Sequence, residues 1–157
     1  MTVDTNAPPL GVRPEVVLTA AQRRALQVLQ DFDLSPVRER LLRDAVMPTG
    51  WVDEAILEFR RYLGLRVVDE HGHYYMFSKP VDNVWHIFLL FSRLYAQYCQ
   101  EAFGQFVHHE PAAGHDATND TAPPLDRETH WRAFDTAYVR TYGELARLWQ
   151  MARPSPG

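Results

Sequence analysis

Apolar residues recur at spacings of three and four in five stretches of the chain, and each stretch opens on a residue suited to start a helix. Thr19, with Gln22 three positions on, has the pattern of a capping box, and Ala25, Leu26, Leu29 and Phe32 form the stripe that follows. Ser35–Pro36 opens a second helix through Val46, with Val37, Leu41, Leu42 and Ala45 inward and Pro48 as its end. Thr49 caps a third, which carries Val52, Ile56, Phe59 and Leu63 on its stripe. It has Asp53 and Glu54 where a helix N-terminus favours acid, and Gly64 as its stop. Between Leu65 and Phe77, two short apolar runs flank Glu70-His71-Gly72-His73, which predicts a small hairpin or an extended loop. Ser78 and Pro80 open the longest pattern, which runs from Val81 to Phe103 without Gly or Pro and predicts one central helix of about 35 Å. Asp126 caps the last helix, in which Trp131, Phe134, Tyr138, Tyr142, Leu145 and Trp149 share one face and Gly143 marks a bend or break. The expected fold is a mainly α bundle of about five helices around the 81–103 helix.

Composition narrows the class. At 157 residues, with 46% apolar and 23% charged content, the chain suits a single globular domain. A net charge of −4 argues against a nucleic-acid partner. One cysteine allows no internal disulfide and points to a reducing compartment. The start of the chain does not read as a signal peptide, and no apolar run is long enough for a membrane span, so a cytoplasmic location is expected. Residues 1–18 read as a flexible lead, 19–151 as the helical domain with a mobile linker at 112–124, and 152–157 as a disordered tail.

Candidate chemistry falls on histidines. Asp82 and His86 stand one helical turn apart, an arrangement that serves a metal, an acid–base pair or a plain surface ion pair. Arg93, further along the same face, suits an anionic ligand. His108 and His109 follow Gly104 at the end of the long helix. An antiparallel last helix would bring Glu128 and His130, with His115, towards them. Imidazoles with a carboxylate suit zinc or iron, although the sequence requires no cofactor and no spacing matches a zinc signature. Cys99 lies on the apolar face and reads as a packed core thiol. No nucleophile-elbow, phosphate-loop or dinucleotide motif is present.

Val81, Asp82, Trp85, His86, Ser92, Tyr95, Cys99, Phe103, Gly104, His108, His109 and Pro111, led by Glu58-Phe-Arg-Arg-Tyr-Leu63, form an ordered set. It resembles the motif of the glycine-rich-domain-like family, in which many members carry a second histidine where Phe88 stands. The resemblance implies an outline for the chain but no activity. Geometry adds an exclusion. On an unbroken helix His86 lies about 27 Å from Gly104, and the next four or five residues reach back at most about 18 Å. His86 and the His108–His109 pair are therefore expected to belong to separate sites. Two functions fit these observations. The leading one is a non-catalytic accessory or interaction module acting on an unidentified protein partner. The other is a metal- or small-ligand-binding protein, or a metal-dependent enzyme, that uses the central histidines.

Overall fold

The computed structural model describes residues 7–70, 72–109 and 126–154. Their architecture is helical throughout: α1 (Ala20–Asp31), α2 (Ser35–Asp44), α3 (Val52–Val68), α4 (Lys79–Leu90), α5 (Ser92–Phe103), α6 (Arg127–Tyr142) and the short α7 (Arg147–Gln150). The mainly α bundle expected from the periodicity is the fold found. The starts of α1, α2, α4 and α6 also follow from the sequence, whereas Thr49 does not cap α3: it opens a short 3-10 turn, and α3 begins at Val52 without a side-chain cap. Thr19 and Gln22 form the reciprocal capping box, and Asp126 accepts from the Thr129 N–H at 2.7 Å. Gly143, at φ 96°, closes α6 before α7.

Helix α3 is the axis of the bundle and packs on α1, α2, α4 and α6. Phe59 collects Trp85, Phe88 and Tyr98 around its ring at 5.9–6.4 Å. One turn on, Tyr62 stacks on Trp149 and touches Phe134 and Trp85. Both aromatic clusters thus hang on one helix. Beside them lies a fully buried carboxylate, Glu58, which accepts from the Tyr138 hydroxyl at 2.6 Å, the Trp149 indole at 2.8 Å and Arg61 at 3.0 Å. Arg61 continues to the Leu10 carbonyl, so one network ties α3 to α6, α7 and the N-terminal segment.

Four further local expectations change. The chain is docked from Pro9 onwards, within the expected flexible lead, because Leu10 and Val12 are buried. The expectations for residues 1–6, 112–124 and 155–157 lie outside the described residues. Gly64 does not stop its helix: α3 continues to Val68, and a Cβ at Gly64 would strike the Tyr142 hydroxyl and press on Leu26, so close packing requires the glycine. With Leu65–Val68 helical, no strand forms among the described residues between Asp69 and Phe77, which leaves the loop alternative. Finally, the 81–103 helix is broken at Phe91 (φ −90°, ψ 64°) into α4 and α5. Neither Gly nor Pro causes the break. The Phe91 N–H closes a tight turn onto the Phe88 carbonyl, and α5 folds back on α4. Phe88 and Tyr98, about 15 Å apart along a straight helix axis, place their rings 5.2 Å apart.

Replacing Glu58 with alanine strands Arg61 and two aromatic donors in the core. The expected cost is about 3–5 kcal/mol, measured as a lowered urea midpoint. A midpoint like that of the parent protein would show that the network is not a structural tie.

Candidate functional site

Ser78 caps α4 by accepting from the Val81 N–H at 3.4 Å, which sets Asp82 in the first helical turn. His86 follows one turn later, mostly exposed, with its Nε2 at 3.5 Å from one Asp82 oxygen. The third member arrives from beyond α5. Gly104, in the left-handed conformation at φ 69°, ends that helix and turns the chain back. Val107 is then buried against the core, and the Tyr95 hydroxyl donates to its carbonyl while accepting from the Trp85 indole at 3.0 Å. Burial pushes the Tyr95 phenol well above its usual range, so it stays a neutral donor.

Two residues later, His109 lies at 4.2 Å from the Trp85 ring and 4.7 Å from the His86 imidazole, nearly parallel to both. Its Nε2 is hydrogen-bonded to the other Asp82 oxygen at 2.7 Å. One carboxylate is thus flanked by two imidazoles, and one donor atom from each residue falls within 4.8 Å of the others. At metal–ligand distances of about 2.0–2.2 Å, two donors sit about 2.9 Å apart at a right angle and about 3.4 Å apart at a tetrahedral one. The two carboxylate–imidazole separations bracket those values, and exposed His86 has the rotational freedom to close the widest gap. Two histidines and one carboxylate leave further coordination positions for water or a substrate.

This arrangement overturns the expected separation of His86 from the His108–His109 pair. The exclusion assumed an unbroken helix, and the reversal at Phe91 removes the distance on which it rested. The other candidates lie elsewhere. Arg93 is exposed on α5, beyond the break. His108 is exposed and meets the Phe106 ring edge-on. His130 stacks on Tyr75 at 3.6 Å, and Glu128 is paired with Arg132 on the surface. His71 and His115 lie outside the described residues. Cys99 is fully buried, and burial pushes its thiol up, which suits a packed residue.

His109 is mostly buried against Trp85, so His109→Ala is expected to cost about 1–3 kcal/mol of stability through a lost hydrogen bond and lost packing. His86→Ala removes an exposed contact with Asp82 and a solvent-facing ring contact with His109, and should cost under about 1 kcal/mol. Chemical denaturation of the two variants checks the ranking, and equal costs would contradict it.

A family model described as UCP032817-like matches residues 24–137, a span that includes most of α1, all of α2 to α5, most of α6 and all three site residues. No curated protein and no solved structure matches the chain. The resemblance to the glycine-rich-domain-like family is corrected by this match: the ordered Asp, His, Tyr and Cys positions that suggested it lie within a different family's span. The chain belongs to the UCP032817-like family.

Proposed function

We propose that this protein binds one divalent transition-metal ion, zinc or ferrous iron, through Asp82, His86 and His109. The observation that carries the proposal is the convergence of two imidazole nitrogens, from two separate chain segments, on the two oxygens of a single carboxylate. Two imidazole donors out of three favour zinc or iron over magnesium or calcium, which prefer all-oxygen shells. The exposed His86 side leaves the ion open to solvent, so it would act as a Lewis acid or activate a bound water rather than serve as a closed structural clip. The interaction-module alternative has its own support in Leu90 and Phe106, two large apolar side chains exposed on α4 and the return segment.

Metal analysis of untagged protein, followed by titration of the stripped protein with zinc and, anaerobically, with ferrous iron, tests the proposal. One ion per chain is expected, with binding weakened at least about a hundredfold in Asp82→Ala and His109→Ala. Chelation should lower the melting temperature, since a ligand at a hundred times its Kd stabilises the folded state by about 2.7 kcal/mol. Protein that purifies empty and takes up neither ion would sink the metal reading and leave the interaction module.

A further inference from the structure

We propose that Tyr95 is a positioning residue for this centre: it never touches the ion, but its hydroxyl sets the distance between the two segments that supply the ligands. The inference rests on the metal reading above and names what holds that site together. The Tyr95 hydroxyl is fully buried and is used in both directions. It accepts from the indole of Trp85, whose ring is the platform for His109 and whose chain neighbour is His86. It donates to the carbonyl of Val107, two residues before His109. A single oxygen thus bridges α4, which carries Asp82 and His86, and the return segment, which carries His109.

Elsewhere the segment is held through side chains: Val107 is buried, Phe106 sets its ring edge-on against Tyr95 and His109 lies on Trp85, while Gln105 and His108 are exposed. Without the hydroxyl, the Val107 carbonyl and the Trp85 N–H both lose their partner in a dry interior, and the carbonyl regains one by turning to water. That movement draws His109 away from Asp82. Asp82 and His86 stay in register on α4, but two ligands from one helix make a weak site.

Tyr98 supplies the control. It sits one turn later on α5, is equally buried, and its hydroxyl has no hydrogen-bond partner among the described residues. Tyr98→Phe removes the same atom from the same helix without breaking a bridge.

The experiment compares zinc affinity of the stripped parent, Tyr95→Phe and Tyr98→Phe by calorimetric titration, with the visible spectrum of the cobalt-loaded forms as a measure of ligand geometry. Tyr95→Phe is expected to bind zinc about 10–100-fold more weakly, as for changes in groups that orient metal ligands. Its cobalt spectrum should also change, while Tyr98→Phe stays within about twofold of the parent by the same reasoning. Equal affinity in the parent and Tyr95→Phe overturns the inference and leaves the metal reading standing. Equal losses in both variants overturn it too, since they would report general loosening of α5. A parent protein that binds no zinc removes the metal reading and this inference with it.

Should Tyr95→Phe fail to fold, the unaltered protein gives the answer through Cys99. That thiol is fully buried and receives a hydrogen bond from the Val107 backbone, so a thiol reagent reaches it only when the return segment lifts. Coupling between site and segment is reciprocal, so saturating zinc should slow the modification of Cys99 at least about tenfold. An unchanged rate overturns the inference.

Discussion

The reversal of the chain at Phe91 is the constraint on which the rest of the site depends. Interrupting an apolar helix forgoes backbone hydrogen bonds, each worth about 1 kcal/mol net. The reversal allows Phe88 and Tyr98 to converge on Phe59 from two directions, with Tyr95 edge-on against Phe88. Burying a large side chain contributes about 1.5–3 kcal/mol, and each well-oriented aromatic pair about 0.5–1.5 kcal/mol more. Several such contacts outweigh two or three lost helical bonds, so a sequence with no Gly or Pro at this point still breaks. The same reversal brings the end of α5 back alongside the start of α4, and Gly104 then needs only a short return to deliver His109.

Two carboxylates in the bundle gather partners, and comparing them shows why only one is a candidate for binding. Glu58 is 1% exposed and meets a tyrosine, a tryptophan and an arginine. A buried carboxylate persists only with such partners, and its burial leaves no path for a ligand. Asp82 keeps 29% of its side chain in contact with solvent, and its side-chain contacts to His86 and His109 are with imidazoles. Imidazoles are themselves metal ligands, so a cation arriving at Asp82 recruits its neighbours instead of competing with them. Glu58 is therefore a structural tie, and Asp82 can exchange its proton-sharing contacts for metal bonds.

The legible part of this protein was local. Thr19 with Gln22, Asp126 and Gly143 act in the structure as short-range chemistry dictates, since caps depend on residues within one turn. The stripes on α1, α3 and α6 identified Leu26, Leu29, Phe59 and Phe134 as core. What failed was non-local. Gly64 looked like a helix stop because nothing nearby in sequence announces that Tyr142 passes over it. The Val81–Phe103 pattern keeps Trp85, Phe88, Tyr95, Cys99 and Ala102 in register as if on one straight helix, so periodicity could not reveal the reversal. Asp82 and His86 were visible as a pair at helical spacing, and His109 as a neighbour of Gly104. Their meeting was hidden because a straight-helix ruler placed them too far apart.

How strongly the triad could bind an ion depends on how firmly its side chains are held. A site that forms only on binding must spend part of its affinity on ordering side chains, about 0.5–1.5 kcal/mol for each one immobilised. Here His109 is already held between Trp85 and His86, and Asp82 is fixed in the first turn of a helix. The hydrogen bond at 2.7 Å between His109 and Asp82 occupies the line that a bridging cation would take. Exchanging that proton for an ion of about 2.1 Å bond length widens the gap by less than about 1 Å. Only His86, the exposed member, has to move further, and exposed rotamers adjust freely. The ordering cost of this centre is thus met largely by the aromatic packing that drives the chain reversal, and fold and site draw on the same contacts.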